Sequence, residues 1–407
     1  MKDAGSITTP RGFRAAGSTC GIKPSGQPDV ALIVSEVPCA VAGVFTTNRC
    51  PGAPVVIGRR HVRGGRARAI VCNSGIANVA TGDQGLHDAV SMCERVAGHV
   101  GCPVRHVVPC STGVIGHRLP MAKIARGIDA AAVGLARGPA ADAAAACAIL
   151  TTDLVPKQAR ATVRLGAGPG GTVRLGGVAK GSGMIAPNMA TMLCFITTDA
   201  AVTPPALRAA LKQAVSQSFN RTSVDSDTST SDTVLVLASG AAGRREIKKP
   251  GRAFDAFSSG LTDLCMQLAY QIVRDGEGAT KVMRVTVRGA HSTADADRIG
   301  RAIVNSPLVK TALHGADPNW GRLVMAVGKS GARVAPEKLS IAIADVVTFR
   351  RGVPAPLDSA ARRKLVRALS GDEVAFDVNV GIGRATAQWL GCDLSKQYVA
   401  INAEYTT

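Results

Sequence analysis

The sequence predicts a layered sandwich of the α/β or α+β class with two lobes, and three observations support this prediction. The chain has 407 residues, more than the roughly 250–300 at which a single hydrophobic core usually stops growing. Hydrophobic residues make up 46% of it and charged residues 19%, as in a compact globular protein. Short apolar runs rich in β-branched residues alternate with segments of helical spacing, which indicates sheets covered by helices.

The first part of the chain is predicted to form a sheet with helices on it. Four short apolar runs predict strands at 30–35, 41–47, 53–58 and 68–75. Apolar residues at helical spacing, with an Ala-rich composition in the last two segments, then predict helices at 83–97, 121–136 and 139–150. The letters TVRLG occur twice between 162 and 176 around Gly and Pro residues, a pattern typical of a β-hairpin.

The remainder of the chain continues this alternation. Helices are predicted at 203–219, where Pro residues occupy the first turn, and at 261–276 and 295–315. Strands are predicted at 233–239, 281–290, 340–347, 374–380 and 398–405.

The distribution of charge argues against a nucleic-acid-binding function. The formal net charge is +19, but the basic residues stand singly or in pairs and few aromatic residues accompany them. We therefore interpret the charge as a solvated surface and expect no nucleic-acid partner.

The 11 cysteines include no Cys-x-x-Cys pair, which favours reduced thiols in a cytoplasmic protein. No stretch approaches about 18 apolar residues and no apolar signal segment is found, so we expect no membrane span and no export.

Several matches to cofactor-binding motifs lack a neighbouring element or residue that the motif requires. Gly166, Gly168 and Gly171 match the dinucleotide pattern G-x-G-x-x-G, but a predicted strand follows them where a helix is required. The GKS at 328–330 lacks the earlier glycine of a phosphate loop, because Leu323 stands there. The seven histidines show no metal-ligand spacing, and no G-x-S-x-G serine motif occurs. We expect neither a metal nor a bound cofactor.

Thr191 is the candidate nucleophile. It lies between the Gly-, Ser-, Pro- and Asn-containing KGSGMIAPNMA and the apolar MLCFITTDA. A threonine hydroxyl is a poor nucleophile without an adjoining base, and one such base is the residue's own α-amine, which becomes free only when the preceding peptide bond is cut. A free α-amine titrates near pH ~8 and can accept a proton at neutral pH. From the residues alone, an ordinary strand threonine remains the simpler interpretation.

The segment GMIAPNMATML closely resembles the self-cleavage motif of the ornithine acetyltransferase (glutamate N-acetyltransferase, ArgJ) family. Similar blocks occur along nearly the whole chain, among them GVFTTNRC, PCSTGVIGHRLPM, SFNRTSVDSDTSTSDTV and SPLVKTALHGADPNWGR. The resemblance implies an α/β sandwich of the self-cleaving, N-terminal-threonine type. It implies a cut between Ala190 and Thr191 that produces an α chain, 1–190, and a β chain, 191–407, which stay associated as an α2β2 heterotetramer.

The resemblance also implies an activity in arginine biosynthesis. Thr191 would accept the acetyl group of N2-acetyl-L-ornithine and pass it to L-glutamate, with acetyl-CoA possible as a second donor and no other cofactor. Thr112 and Gly113 match the family's oxyanion hole, whose donors stabilise the alkoxide of a tetrahedral intermediate. The implied substrate contacts are Thr152, Lys180, Thr191, Glu277, Asn402 and Thr407.

Three departures from the family pattern leave alternatives open. Ile76, Ser226 and Ser231 stand where the family often has Asn, Gly and Asn. They leave room for a paralogue with a different acyl or amine preference. A related N-terminal-nucleophile amidohydrolase or aminopeptidase would use the same threonine but pass the acyl group to water, and a basic nucleic-acid-binding protein is the alternative from another class.

Overall fold

The computed structural model describes residues 5–166, 171–186, 192–243, 246–248 and 251–404. The predicted cleavage-site residues Ala190 and Thr191, and the predicted substrate contact Thr407, lie outside these ranges. No helix in the described ranges is long and apolar enough to cross a membrane.

The described residues contain fifteen strands and eleven α-helices. The strands are β1 (Phe13–Ser18), β2 (Val30–Phe45), β3 (Arg66–Ile76), β4 (Val107–Val114), β5 (Lys157–Arg164), β6 (Thr172–Lys180), β7 (Leu193–Thr198), β8 (Thr222–Ser223), β9 (Thr233–Ala238), β10 (Val282–Ala290), β11 (Ser340–Ile343), β12 (Val346–Arg350), β13 (Val353–Pro354), β14 (Glu373–Asn379) and β15 (Ala385–Cys392). The helices are α1 (Ala53–Val62), α2 (Gly82–Val100), α3 (Met121–Val133), α4 (Pro139–Ala148), α5 (Pro204–Gln217), α6 (Arg252–Arg274), α7 (Thr293–Val304), α8 (Pro307–His314), α9 (Trp320–Gly328), α10 (Ser359–Leu369) and α11 (Lys396–Glu404).

The first sheet folds over itself into two layers. Its strand order among the described residues is β4–β3–β2–β9–β7–β6–β5, and β1 pairs with the first half of β2. The register of β2 on β3 shifts between Val34 and Cys39, after which β2 pairs with β9. Apolar residues from both halves of the sheet pack in one core, which includes Ile33, Ile70, Cys72 and Val108 from the first half and Val178, Phe195 and Leu235 from the second.

Helices cover the outer face of each layer. Helices α2 and α3 pack on β2, β3 and β4 through a separate apolar cluster, and α5 and α6 pack on β5, β6, β7 and β9 through another. The arrangement is helix, sheet, sheet, helix. The ends of β4 and β6, which lie in different layers, therefore face each other across the sandwich.

The second sheet forms its own lobe. Its order in the described residues is β13–β12–β11–β14–β10–β15–β8, and α7, α8, α9 and α10 pack on it around a further apolar core. The predicted layered α/β class with two lobes is confirmed. The predicted helices α2 to α5 and the antiparallel hairpin of β5 and β6 are also confirmed. The helix predicted at 261–276 is confirmed as α6, which begins nine residues earlier, at Arg252.

Two strand predictions are wrong because short apolar runs are also compatible with buried helices. The run at 53–58 belongs to helix α1, where Pro54 sits in the first turn and its missing N–H costs no helical hydrogen bond. The run at 398–405 lies in helix α11 as far as Glu404, the last residue of that helix.

Other predicted elements have the right type but different boundaries. The runs at 30–35 and 41–47 form the single bent strand β2. The predicted helix 295–315 is two helices, because Pro307 begins α8 and the Ser306 side chain accepts a hydrogen bond from the Val309 N–H as its cap. The predicted strand 340–347 is the hairpin of β11 and β12, which turns through the two positive-φ residues Ala344 and Asp345.

Candidate active site

A pocket with about 570 Å³ of empty space opens at one end of the two layers. All six predicted site residues that the structure describes line it: Thr112, Gly113, Thr152, Lys180, Glu277 and Asn402. The further lining residues are Ala77, Ile115, Thr151, Gly183, Met184, Ser229, Thr230 and Ser231. The fold thus gathers residues from segments that are nearly 300 positions apart in the chain.

The end of β4 supplies Thr112 and Gly113. Gly113 has φ +127°, a conformation that favours glycine. A Cβ at this position would lie 2.3 Å from the backbone carbonyl carbon of Gly75 on the neighbouring strand β3. The close pairing of β3 and β4 therefore requires glycine at 113 and places its backbone at the pocket.

The end of β6 supplies Lys180, whose side chain is only 2% exposed. Its Nζ donates a hydrogen bond to the Thr112 hydroxyl oxygen at 3.2 Å. Burial lowers the pKa of Lys180, while the nearby Asp153 carboxylate acts in the opposite direction. Because the Thr112 oxygen accepts from Lys180, the hydroxyl hydrogen of Thr112 is available to another acceptor, and none is found for it among the described residues.

A buried ionic network that no sequence pattern predicted supports Lys180. Lys157 is fully buried, and its Nζ lies 2.6 Å from both Asp153 Oδ1 and Asp275 Oδ2. Asp153 Oδ1 also accepts from the Gly181 N–H at 2.7 Å. Burial opposes ionisation of Asp153, but the charges of Lys180 and Lys157, the hydrogen bond from Lys157 and that from the Gly181 N–H lower its pKa to about 2. The network fixes the loop after Lys180.

Glu277 and Asn402 form another part of the pocket wall. The Asn402 Nδ2 donates to Glu277 Oε2 at 2.9 Å, and the Glu277 N–H donates to the Ser182 carbonyl oxygen at 3.1 Å. A Cβ at Gly183 would lie 2.3 Å from Glu277 Oε2, so the absence of a side chain there leaves room for this carboxylate. The pocket lining therefore contains both a buried basic side chain, Lys180, and a partly exposed acidic one, Glu277.

Two aspartates of one segment hold the backbone on either side of the predicted cleavage site. The carboxylate of Asp225 accepts from the N–H groups of Met184 and Ile185, the latter at 2.8 Å. The Oδ1 of Asp232 accepts from the Met192 N–H at 3.0 Å. Neither aspartate was predicted to be functional, and the only local signal is that they stand seven residues apart within SVDSDTSTSDTV.

The described residues contain no group of three or more His, Cys, Asp or Glu side chains placed to hold a metal ion. All 11 cysteines lie in the described ranges as free thiols. The chemistry of the pocket is that of hydroxyl, amide, ammonium and carboxylate groups.

Comparison with known proteins identifies the family. The ArgJ family model matches residues 14–407. The chain belongs to the ArgJ family. The arginine biosynthesis bifunctional protein ArgJ of Symbiobacterium thermophilum is 47% identical over 406 residues, which is 99% of this chain and 99% of that protein. The protein of the same name from Synechococcus sp. is 48% identical over an alignment of 411 residues, and the match covers 99% of this chain and 98% of that protein.

Solved structures of ArgJ proteins match parts of the chain. The arginine biosynthesis bifunctional protein ArgJ of Bacillus halodurans is 41% identical and covers 51% of this chain and 97% of its own, with a TM-score of 0.49. The ornithine acetyltransferase of Mycobacterium tuberculosis, solved in complex with ornithine, is 38% identical and covers 46% of this chain and 96% of its own, with a TM-score of 0.41.

The three departures from the ArgJ pattern lie in different surroundings. Ser226 is exposed and has φ +69°, the left-handed region in which glycine is the least strained residue. Ile76 ends β3, and its carbonyl oxygen accepts from Asn73 Nδ2 at 2.8 Å. Ser231 lines the pocket. Of the three, Ser231 is the departure placed to change what an ArgJ pocket accepts.

Proposed function

We propose that this ArgJ member cuts itself between Ala190 and Thr191 and then transfers the acetyl group of N2-acetyl-L-ornithine to L-glutamate through an acetyl ester on Thr191. The observation that carries the proposal is the convergence of Thr112, Gly113 and Lys180 with Glu277 in one pocket. The names of the relatives support it, because they are arginine biosynthesis proteins and one solved relative is an ornithine acetyltransferase.

In self-cleavage, the Thr191 Oγ attacks the carbonyl carbon of Ala190. The bond from that carbon to the Thr191 nitrogen breaks, the proton of the hydroxyl passes to the nitrogen, and an ester remains. Water then hydrolyses the ester, which leaves a carboxylate on Ala190 and restores the Thr191 hydroxyl beside a free α-amine. This amine is the base that the hydroxyl needs for the next reaction.

In transfer, the α-amine takes the hydroxyl proton while Oγ attacks the acetyl carbonyl of acetylornithine. The alkoxide that forms needs donors held in place in advance. The Thr112 hydroxyl, whose oxygen is already occupied by Lys180, and the Gly113 N–H supply them. Ornithine leaves with the proton, and the amine of glutamate attacks the ester in a second step of the same kind, so ping-pong kinetics are expected.

The charges of the pocket suit acetylornithine. Lys180 contacts Thr112 and so lies at the reacting end, where the α-carboxylate of the substrate adjoins the acetylated nitrogen. Glu277, which accepts from Asn402, is the carboxylate of the pocket lining that would receive the side-chain ammonium of acetylornithine. A cation and an anion in the pocket lining would orient the substrate. Thr152 and Thr407 are further proposed contacts.

We also propose that the two chains remain associated after the cut. The first sheet interleaves strands from both sides of it, since Lys180 of β6 pairs with Leu193 of β7 and Phe45 of β2 pairs with Thr233 of β9. Separation of the chains would expose these strand edges and the core between the layers. An α2β2 assembly, a cytoplasmic location and acetyl-CoA as a second donor belong to the same proposal.

Mass spectrometry of the purified protein tests the cleavage. Two fragments are expected, the second of which begins at Thr191. Thr191→Ala should abolish cutting and transfer, whereas Thr191→Ser retains a hydroxyl and should retain some of both. An intact chain that transfers acetyl groups would overturn the mechanism.

Product analysis tests the reaction. Acetylornithine with glutamate should produce acetylglutamate and ornithine, and acetyl-CoA with glutamate in a separate reaction tests the second donor. Release of acetate alone, with or without glutamate, would instead support the amidohydrolase alternative.

A further inference from the structure

Helix α11 carries the pocket residue Asn402 but has little apolar packing. No residue of this helix is buried, and Val399 is 63% exposed. A surface helix is normally placed by an apolar face that packs on the core. Hydrogen bonds therefore contribute much of what places α11, and with it Asn402, against the pocket wall.

The Ser395 hydroxyl joins the start of α11 to the loop that carries Glu277. It donates to the Gly278 carbonyl oxygen at 2.6 Å. It also accepts from the N–H groups of Gln397 and Tyr398, at 3.1 and 3.3 Å. The first N–H groups of a helix have no partner within the helix, so Ser395 stabilises the first turn of α11 while it binds the residue after Glu277.

The loop and the helix approach each other closely at Gly278. A Cβ at this position would lie 2.5 Å from the Tyr398 nitrogen and 2.9 Å from the Ser395 Oγ. Gly278 also has φ +65°, a conformation that favours glycine. The contact between Ser395 and the loop therefore requires glycine at 278.

The Asp393 carboxylate holds the same loop two residues before Ser395. Its Oδ1 accepts from the N–H groups of Thr280 and Lys281, at 2.8 and 2.9 Å. Its Oδ2 accepts at 2.7 Å from both the Thr280 hydroxyl and the Nδ1 of His314, which ends α8. Burial acts against ionisation of Asp393, but these hydrogen bonds hold its pKa below the ordinary value. Asp393 thus ties the segment before α11 to the loop and to the second lobe.

Asn402 lies one helical turn after Tyr398 and connects α11 to Glu277. The Asn402 Nδ2 donates to the Tyr398 carbonyl oxygen at 3.0 Å and to Glu277 Oε2 at 2.9 Å. The N–H of Tyr398 is one of the two that Ser395 accepts. A continuous series of hydrogen bonds therefore leads from the Ser395 hydroxyl through one turn of α11 to the carboxylate in the pocket.

We propose that Ser395 is a positioning residue for the pocket: its hydroxyl sets α11 on the loop at Gly278 so that the Asn402 amide meets the Glu277 carboxylate. The amide holds Oε2 of Glu277 and thereby orients Oε1 toward the ammonium of acetylornithine. The inference rests on the proposed function, which assigns that ammonium to Glu277.

The kinetics of Ser395→Ala test this role. KM for acetylornithine should rise about 3- to 10-fold, the range expected for the loss of one neutral hydrogen bond, while kcat stays close to the wild-type value. Ser395→Thr retains the hydroxyl and should restore most of the affinity. An unchanged KM in Ser395→Ala would overturn the proposal.

Ser330→Ala is the matched control. The Ser330 hydroxyl also donates to a carbonyl oxygen at 2.6 Å, that of Val327, and accepts from one N–H, that of Ala332, at 3.3 Å. Ser330 is not among the residues that line the pocket. Its loss should leave KM for acetylornithine at the wild-type value.

A double-mutant cycle separates positioning from a general loss of structure. If Ser395 acts through Asn402, Ser395→Ala should raise KM no further in the Asn402→Ala background. Equal increases in both backgrounds would contradict the proposal. Thr280→Val covers the case in which Ser395→Ala does not fold, because it removes one donor to Asp393 from an exposed residue. It should also raise KM, and in that case an unchanged KM would overturn the proposal.

Hydrogen exchange tests the placement of α11 independently of activity. The amides at 397–404 should exchange faster in Ser395→Ala than in the wild type and in Ser330→Ala. Unchanged exchange would overturn the inference whether or not the protein is active. A wild type that transfers no acetyl group would refute the proposed function, whereas an active wild type with the same KM as Ser395→Ala would refute this inference alone.

Discussion

The ammonium nitrogen of Lys180 lies 3.2 Å from the hydroxyl oxygen of Thr112, and this contact joins the two layers of the first sheet at the pocket. Thr112 lies two residues before the end of β4 in one layer, and Lys180 ends β6 in the other. The contact orients the hydroxyl because its oxygen is the acceptor. Its hydrogen is then left to stabilise an oxyanion.

Thr112→Val should reduce acetyl transfer without unfolding the protein, because Val keeps the shape of the side chain and removes the donor. Loss of one oxyanion donor lowers kcat by roughly 10²–10³-fold in acyl-transfer enzymes. Thr112→Ser retains the hydroxyl and serves as the matched control, with most of the activity expected to remain. Steady-state kinetics measure kcat for both variants. A wild-type kcat in Thr112→Val would show that the hydroxyl is not a donor to the oxyanion.

Glu277→Gln should weaken the binding of acetylornithine more than that of glutamate, because only acetylornithine carries a side-chain ammonium. A hydrogen bond to a charged group contributes about 1.5–3 kcal/mol, so KM for acetylornithine should rise about 10- to 100-fold. The control is Glu404→Gln, which alters an exposed carboxylate on α11. Equal increases in the two KM values would contradict the assignment of Glu277 to the ammonium.

Lys157→Met should destabilise the protein strongly, because it leaves the carboxylates of Asp153 and Asp275 without the cation that lies 2.6 Å from each. Removal of one partner from a buried ionic network typically costs about 3–5 kcal/mol. Urea unfolding in the Thr191→Ala background, where one uncut chain is expected, measures the change.

Arg288→Met is the control for this loss. It breaks the ion pair with Asp377, in which both side chains are exposed, and pairs of that kind contribute about 0–1 kcal/mol. If the two variants lost similar free energies of unfolding, the buried Lys157 network would contribute no more to stability than an exposed ion pair.

Asp225 should make the stability of the protein fall as the pH rises from about 4 to about 6. Burial raises its pKa to about 6, against hydrogen bonds from the amides of Asp227, Met184 and Ile185, whereas an unfolded Asp titrates near ~3.9. Between these values the folded state binds the proton more tightly, so the free energy of unfolding decreases with pH by up to about 3 kcal/mol in total.

Asp225→Asn should remove that part of the pH dependence, and thermal unfolding of both proteins between pH 4 and 7 measures it. Asp263→Asn, which alters an exposed carboxylate on α6, is the control and should follow the wild-type curve. If the Asp225→Asn curve ran parallel to the wild-type curve over this range, the carboxyl of Asp225 would not be titrating there.

The local patterns of the sequence predicted most of the long elements. Helix α2 has apolar residues at helical spacing over five turns, and β9 is an apolar run of β-branched and leucine residues. The failures were short runs, such as 53–58, where helix and strand patterns coincide and packing decides between them. The six described site residues were found by resemblance to a family, and the structure brings those six into one pocket.

The sequence by itself determined the alternation of strands and helices, the junction at Thr191 between a small-residue segment and an apolar strand, and the family to which the chain belongs. Tertiary structure decided which charges meet. No local spacing encodes the meeting of distant segments, as in the contact of Lys180 with Thr112, the ion pair of Lys157 with Asp275 and the hydrogen bond from the Met192 N–H to Asp232. Burial determines how strongly a charged group interacts with its neighbours and how much free energy is lost when it is unpaired. The roles of these residues therefore depend on the folding of the first sheet into two layers, which buries them.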